Sequence, residues 1–257
     1  MMPIDYTELD RPDISRNSFY PRHNWTPTPE GALDYRLPVE AGVSVSCRFF
    51  PAGTARPTIL FFYGNGETAA DYDDIGPLYQ RLGANLFVAD YRGYGNSDGS
   101  PSFTTMLADA HQVLHGLLEL LAEGFYSGPV FVMGRSLGRH AAFELAVRAA
   151  DRLAGVIIES GRPTLGQFTS GLTPGEVQRF EADYRDKISS ISLPVLVIHG
   201  EQDTLAPVGQ ARSMFESFAS RQKRLVTVPG AGHNDLLYLG LSQYFEALQG
   251  FIAPVAR

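Results

Sequence analysis

The sequence contains few of the features that stabilise secreted or membrane-spanning proteins. Among its 257 residues there is a single cysteine, Cys47, which excludes an intramolecular disulfide and a zinc site built from cysteines. No apolar run approaches the roughly 20 residues that cross a bilayer, and the acidic N-terminus lacks the positive start and the apolar stretch of a signal peptide. We therefore expect a cytoplasmic protein.

Positive charge is also scarce. The chain has 21 Lys and Arg residues against 28 Asp and Glu residues, and its formal net charge is -7. No basic run offsets this excess, so nucleic acid is not an expected partner. The hydrophobic fraction of 44% and the charged fraction of 19% are typical of a folded protein, and an α/β chain of this length commonly forms one domain.

Prolines distinguish the first part of the chain from the rest. They stand at Pro3, Pro12, Pro21, Pro27 and Pro29. Because proline interrupts helices and central strands, residues 1–32 are predicted to form an arm packed on a single domain of residues 33–257.

The remaining sequence predicts an α/β fold. The segments LDYRLPVE and VSVSCRFF alternate as strands and are separated by Ala41 and Gly42, which predicts an antiparallel hairpin at the sheet edge. Short apolar runs then alternate with helical stretches: TILFFY, NLFVAD, PVFVMG, LAGVIIES, PVLVIHG and RLVTVPG. Such strands are buried on both faces, so we expect a mostly parallel sheet of about eight strands covered by helices on both faces.

Two helices and one insertion are predicted between these strands. Apolar residues recur at helical spacing over residues 103–121, and a second helix is expected over residues 137–150. Residues 161–190 are predicted to form a small lid with one short helix, whose start is marked by Thr173, Pro174 and Glu176.

A candidate nucleophile lies between a predicted strand and the second helix. Gly134-Arg135-Ser136-Leu137-Gly138 matches G-x-S-x-G, and its strand-turn-helix setting is that of a nucleophile elbow. The glycines are expected because the turn is too crowded for side chains beside Ser136. The helix start leaves the Leu137 N–H unpaired, so this group is the expected oxyanion donor.

A serine nucleophile needs a base and a group that orients the base. Asp203 follows the strand PVLVIHG in the loop where open α/β sheets bind ligands, and His233 follows the last strand in the loop PGAGH. We predict His233 as the base and Asp203 as the acid. Glu159, at the end of LAGVIIES, is a competing acid.

The loop Tyr63-Gly64-Asn65-Gly66 after TILFFY is predicted to supply the second oxyanion donor, the Asn65 N–H. The alternative is a glycine-rich turn into the next helix.

His111 and His115 are spaced like a zinc-binding pair, but no third ligand is evident, and we expect them on a helix surface. We predict no metal and no cofactor.

Together these strings resemble a known family. YGNG, DYRGYGNSDG (residues 90–99), GRSLG, PVLVIHG with EQD, and PGAGH are similar to the short-lidded Bem46-like serine hydrolases of the α/β-hydrolase superfamily. The resemblance implies a triad of Ser136, Asp203 and His233, backbone oxyanion donors at Leu137 and Asn65, and DYRGYGNSDG as a wall of the active site. Many relatives have His-Gly where this chain has Tyr63-Gly64, so the bonds that fix this loop should differ.

The expected function is hydrolysis of an ester, thioester or amide of a small or medium acyl group through an acyl-enzyme. The expected partner is a small-molecule acyl substrate. A serine at the elbow argues against dehalogenase and epoxide hydrolase chemistry, which use a carboxylate nucleophile. Peptidase, depalmitoylating thioesterase and acyltransferase activities remain open, as does a non-catalytic binding protein on the same fold.

Overall fold

A single sheet organises residues 4–253, the part of the chain that the computed structural model describes. The first three residues of the predicted arm and residues 254–257 lie outside it. The strands are β1 (Leu33–Glu40), β2 (Val43–Phe50), β3 (Thr58–Phe62), β4 (Asn85–Ala89), β5 (Val130–Arg135), β6 (Gly155–Glu159), β7 (Val195–Gly200) and β8 (Lys223–Val228). Their order across the sheet is β1-β2-β4-β3-β5-β6-β7-β8.

The pairing agrees with the predicted topology. Strand β2 is antiparallel to both β1 and β4, whereas every pair from β4 through β3 to β8 is parallel. Strands β3, β4, β6 and β7 are buried along their whole length, as their apolar sequences require. The hairpin at the sheet edge and the mostly parallel sheet are confirmed.

Helices cover both faces of the sheet. They are α1 (Pro12–Ser18), α2 (Gly76–Leu82), α3 (Phe103–Glu123), α4 (Arg139–Arg148), α5 (Pro174–Ser189), α6 (Val208–Ser217) and α7 (Leu236–Ile252). Because side chains alternate along a strand, the contacts of successive residues in β5 identify the helices on each face of the sheet. Phe131 packs on Phe251 of α7 and Met133 contacts Tyr79 of α2, whereas a side chain at Gly134 would meet Arg139 of α4.

The two predicted helices differ from the observed ones at their ends. Helix α3 runs two residues past the predicted end at position 121, and Ser102 and Thr105 form a capping box at its start. Helix α4 begins at Arg139 rather than at position 137, because a 3₁₀ turn over Ser136–Gly138 takes up the first residues after the strand.

Residues 161–190 hold a longer helix than expected. Thr173 and Glu176 form the predicted capping box, but α5 continues for 16 residues. It buries Phe180, Tyr184 and Ile188 and packs between α4 and α6. Helix α5 is therefore part of the helical layer over the sheet, and the portion of the predicted lid that reaches the candidate site is the loop before it.

The described part of the N-terminal arm, residues 4–32, lies on the domain. Tyr6 packs on Phe103 with ring centroids 5.0 Å apart, and Phe19 packs on Phe168 at 5.2 Å. Farther along, the buried Arg48 of β2 lies 4.5 Å from the ring centroid of Trp25.

None of the helices between residues 4 and 253 combines the length and the apolar character that a membrane span requires.

Candidate active site

The elbow after β5 holds Ser136 in a strained conformation. Its φ angle is 48°, in the left-handed region that non-glycine residues rarely adopt. A Cβ on Gly134 would lie 2.6 Å from the Gly138 carbonyl oxygen, and one on Gly138 would lie 1.9 Å from the Phe62 carbonyl oxygen. The expectation that crowding requires both glycines is confirmed.

The structure brings Ser136, His233 and Asp203 together. Ser136 Oγ lies 2.8 Å from His233 Nε2, and His233 Nδ1 lies 2.7 Å from Asp203 Oδ2. An ionised carboxylate only accepts hydrogen bonds, so the ring proton belongs on Nδ1. Nε2 is then the free acceptor, and the serine hydroxyl donates to it.

Asp203 stands in the turn that follows β7. Its Oδ1 accepts hydrogen bonds from the N–H groups of Leu205 at 2.9 Å and Ala206 at 2.7 Å. Burial by itself would raise the pKa of Asp203, but the hydrogen bonds from His233 and Ala206 outweigh it and lower this pKa below its usual value. The carboxylate is therefore ionised at neutral pH.

His199 in β7 supports the same turn from inside the protein. The side chain is fully buried, with Nε2 2.6 Å from the Ala206 carbonyl oxygen and 3.4 Å from Asp203 Oδ2. Burial lowers the pKa of His199, so the ring is neutral at pH 7 and donates from Nε2. It fixes the turn that carries the acid.

Glu159, the rival acid, has other partners. Its Oε1 accepts from Arg135 Nε at 3.0 Å, and its Oε2 accepts from the Tyr244 hydroxyl at 2.7 Å. The carboxylate that the structure brings to the His233 ring is that of Asp203.

Arg135 connects the elbow with the histidine loop. Besides Glu159, its guanidinium pairs with Glu67, and its Nη2 donates to the His233 carbonyl oxygen at 3.0 Å and to Asn234 Oδ1 at 2.9 Å. The residue beside the nucleophile therefore fixes the backbone of the loop that carries the imidazole.

The loop after β3 is tied to the elbow through the Tyr63 carbonyl oxygen. This oxygen accepts from the Gly138 N–H at 3.1 Å and from the Tyr91 hydroxyl at 2.7 Å. The Tyr63 hydroxyl donates to the buried Asp90 at 2.6 Å. In this chain Tyr63 therefore fixes the loop through both its carbonyl oxygen and its hydroxyl group.

The Asn65 side chain joins this loop to the N-terminal arm. Its Oδ1 accepts from the Tyr20 N–H at 2.9 Å and from the Tyr94 hydroxyl at 2.7 Å, and its Nδ2 donates to the Ser18 carbonyl oxygen at 2.8 Å. The string at residues 90–99 was expected to form a wall of the site, but none of these residues lines the cavity at Ser136. Tyr91 and Tyr94 instead donate hydrogen bonds to residues of the loop after β3.

Ser136 and His233 border a cavity of about 390 Å³. Leu137 and Asn65, whose N–H groups were predicted to be the oxyanion donors, border it too. Its lining also includes residues that the sequence did not single out: Tyr20, Arg139, Ser160, Arg162, Gln167, Leu205, Ala206 and Asn234. They come from separate parts of the chain: the arm, the start of α4 and the loops after β6, β7 and β8.

A second cavity, of about 470 Å³, adjoins the first and shares Asn65, Arg135 and Asn234 with it. Apart from Arg135, the charged residues that line it are Arg22, Glu67, Asp71 and Glu159. We call the first the serine cavity and the second the acidic cavity.

His111 and His115 lie on α3 and are not part of the lining of either cavity. His111 lies 3.4 Å from Glu144, and the exposed His115 lies 3.4 Å from Glu119. Between residues 4 and 253 no group of three or more His, Cys, Asp or Glu side chains is arranged to hold a metal ion. His140 is fully buried, and its Nδ1 lies 2.6 Å from the Tyr184 hydroxyl.

Similarity to known proteins agrees with this architecture. The family described as Serine aminopeptidase, S33 matches residues 53–165 and 162–237. Alpha/beta hydrolase domain-containing protein 17B of Xenopus laevis is 33% identical over 218 residues, covering 82% of this chain and 72% of that protein. Protein bem46 of Schizosaccharomyces pombe is 30% identical over 207 residues, covering 77% and 68%.

Solved structures share the fold at lower identity. The esterase Pf2001 of Pyrococcus furiosus superposes with a TM-score of 0.71 at 21% identity, covering 90% of this chain and 97% of that one. A mostly parallel eight-stranded sheet with a serine at the elbow after β5 defines an α/β-hydrolase fold. The chain belongs to the serine aminopeptidase S33 family of α/β-hydrolases and, within the superfamily, to its Bem46-like branch.

Proposed function

We propose that this protein is a serine hydrolase that cleaves an ester, thioester or amide through a covalent acyl-enzyme. The observation that carries the proposal is the chain of hydrogen bonds from Ser136 Oγ to His233 at 2.8 Å and from His233 to Asp203 at 2.7 Å, at the wall of the serine cavity. These are the contacts that general-base activation of a hydroxyl requires.

In the acylation step, Ser136 Oγ attacks the substrate carbonyl carbon while His233 Nε2 takes the hydroxyl proton. Asp203 remains ionised and stabilises the imidazolium that forms. The Leu137 and Asn65 N–H groups donate to the developing oxyanion, a contribution of roughly 10²- to 10³-fold in rate per donor. The imidazolium then gives its proton to the leaving alcohol, thiol or amine.

In the deacylation step, His233 takes a proton from water, and the hydroxide equivalent attacks the acyl carbon. The tetrahedral intermediate collapses, Ser136 recovers its proton, and the carboxylic acid leaves. The chemistry uses only side chains and backbone groups of this chain.

The size of the serine cavity supports a small or medium acyl group. Ligand cavities in proteins commonly range over ~300–1,000 Å³, and at about 390 Å³ this one lies near the lower end. The loop before α5 borders it with Arg162 and Gln167, and the arm borders it with Tyr20. We expect para-nitrophenyl esters of short acyl chains to be hydrolysed faster than long-chain ones.

Labelling with a fluorophosphonate probe, followed by mass spectrometry of the tryptic peptides, tests the proposal. The wild type should carry the label on the peptide that contains Ser136, and Ser136→Ala should not react. Ser160→Ala is the matched control, because Ser160 borders the same cavity and no described histidine bonds its hydroxyl. In this variant the label should still be found on Ser136. Equal labelling of wild type and Ser136→Ala, or no labelling of either, would overturn the assignment.

A further inference from the structure

The serine cavity is lined by cationic side chains in an otherwise acidic protein. The chain carries a net charge of -7, yet the charged residues at this cavity are Arg135, Arg139 and Arg162, beside His233. Within the described residues, no aspartate or glutamate lines it. The three arginines differ in what they are bonded to, and that difference decides which of them has charge available for a ligand.

Arg139 is buried and forms no ion pair with any residue between positions 4 and 253. It is 3% exposed, and its guanidinium donates to the carbonyl oxygens of Ser136 at 2.7 Å, Thr164 at 2.7 Å and Arg162 at 3.1 Å. Burial lowers the pKa of Arg139 to about 10, so it still carries its charge at neutral pH. The charge of Glu181 acts on Arg139 from a distance, but the Glu181 carboxylate accepts its hydrogen bond from the Leu165 N–H.

The position of Arg139 adds to this excess of positive charge. It is the first residue of α4, where the helix dipole is already positive and an anion, not a cation, is favoured. An uncompensated cation in a buried place is costly, and a negatively charged ligand beside it would recover part of that cost.

Arg162 is also without a carboxylate. Its guanidinium donates to the Leu205 carbonyl oxygen at 3.2 Å and contacts Gln167 Oε1 at 3.4 Å, and in the part of the chain described it forms no ion pair. Arg135, by contrast, pairs with both Glu67 and Glu159, so its charge is already neutralised.

An unsatisfied hydroxyl lies at the same cavity. Ser160 borders it directly after β6, is 1% exposed and has a φ angle of 49°. Among residues 4–253 its Oγ has no hydrogen-bond partner. A buried hydroxyl without a partner is destabilising, so its presence at a cavity calls for an explanation, of which a bound group is one.

We propose that Arg139, Arg162 and Ser160 form a subsite for a carboxylate group carried by the acyl part of the substrate. This inference rests on the proposed function and names its substrate class: esters, thioesters or amides whose acyl chain ends in a free carboxylate. The guanidinium groups supply charge-assisted donors, and the Ser160 hydroxyl supplies a neutral one. The neighbouring acidic cavity disfavours the same group.

The test compares two para-nitrophenyl esters of equal shape. One is the monoester of adipic acid, and the other has an isopropyl group in place of the free carboxylate. The wild type should favour the anionic ester by about tenfold or more in kcat/KM, with a preference that weakens as salt is added. Arg162→Gln and Ser160→Ala should each reduce this ratio, and Arg179→Gln, which breaks an exposed pair with Glu8, should leave it unchanged.

Several results would overturn the subsite. One is a wild type that shows no preference for the anionic ester. Another is an Arg162→Gln variant that loses turnover of both esters equally, because the arginine would then stabilise the oxyanion or the conformation of its loop rather than bind the carboxylate. Ser160→Ala should melt at or above the wild-type temperature, because it removes an unsatisfied hydroxyl; a lower melting temperature assigns Ser160 a structural role instead.

A binding measurement separates this inference from the proposed function. Titration calorimetry of Ser136→Ala with each ester measures the affinity of the subsite for the ester without requiring hydrolysis. If the wild type hydrolyses neither ester, the proposed function fails, yet tighter binding of the anionic ester to Ser136→Ala still supports the subsite. Equal binding of the two esters contradicts it.

Discussion

The serine cavity and the acidic cavity meet at Arg135, and their arginines have different partners. In the acidic cavity the charges of Arg22 and Arg135 are balanced by carboxylates. In the serine cavity Arg139 and Arg162 donate to uncharged oxygen atoms. A paired arginine holds loops together, whereas an unpaired one at a cavity leaves charge for a ligand. The same residue type thus supports the structure on one side and recognition on the other.

The largest expected effect distinguishes the two candidate acids, Asp203 beside His233 and Glu159 beside Arg135. Asp203→Asn should lower kcat by about 10⁴-fold, because an amide no longer holds the His233 ring in the tautomer that accepts the serine proton. Glu159→Gln should keep kcat within about tenfold, since its partners are Arg135 and Tyr244. Steady-state hydrolysis of a para-nitrophenyl ester measures both.

Circular dichroism spectra of the two variants serve as the folding control. A collapse of kcat in Glu159→Gln together with near-normal turnover in Asp203→Asn would reassign the acid to Glu159.

A smaller effect is expected for Arg135, a positioning residue between the cavities. Arg135→Lys keeps a positive charge but cannot bond Glu67, Glu159 and the His233 loop at once. We expect kcat to fall roughly 10- to 100-fold because the imidazole moves from its place, with KM little changed. Arg36→Lys, at an exposed pair with Asp98, is the matched control.

Two outcomes would contradict this role for Arg135. A rise in KM at constant kcat would mean that the guanidinium binds substrate directly. A loss of melting temperature with unchanged kcat would mean that it only stabilises the fold.

The smallest effect concerns His140, a buried histidine that is not part of the lining of either cavity. Burial holds the pKa of His140 well below its usual value, so the unfolded chain takes up this proton at a higher pH than the folded protein. Its stabilising contribution is therefore complete above about pH 6.5 and is lost as the pH falls, by about 1.4 kcal/mol per pH unit. Urea unfolding between pH 8 and pH 5 measures this loss.

His140→Gln isolates the contribution of that histidine. The variant should be less stable than wild type at pH 8, because it disturbs the contact with Tyr184, but its stability should depend less steeply on pH below 6.5. Parallel curves for the two proteins would contradict the assignment to His140.

The local parts of the fold and site could be predicted from the sequence. The elbow is encoded in five consecutive residues between a strand and a helix, and Asp203 and His233 each follow a strand whose parallel neighbours end at the same edge of the sheet. The hydrophobic pattern likewise predicted the sheet. In each case the signal lies within a short stretch of chain.

The subsite could not be predicted, because its members meet only through long-range contacts. Arg139 donates hydrogen bonds to carbonyl oxygens of the loop 162–164, which is distant from it in sequence. Ser160 directly follows β6, and the sequence pattern at the end of that strand drew attention only to Glu159. The same reason explains α5. The capping box at its start was visible in the sequence, but whether the helix covers the site or joins the helical layer depends on the surfaces of α4 and α6.

The most direct test of the account is to detect the acyl-enzyme itself. Wild-type protein is mixed with the para-nitrophenyl monoester of adipic acid, quenched in acid within milliseconds and digested for mass spectrometry. We predict an adipoyl group on the peptide containing Ser136, at a level that follows the burst of nitrophenol, and no such adduct in His233→Ala. Nitrophenol release without acylation of Ser136, or an acyl group on another residue, would contradict the account.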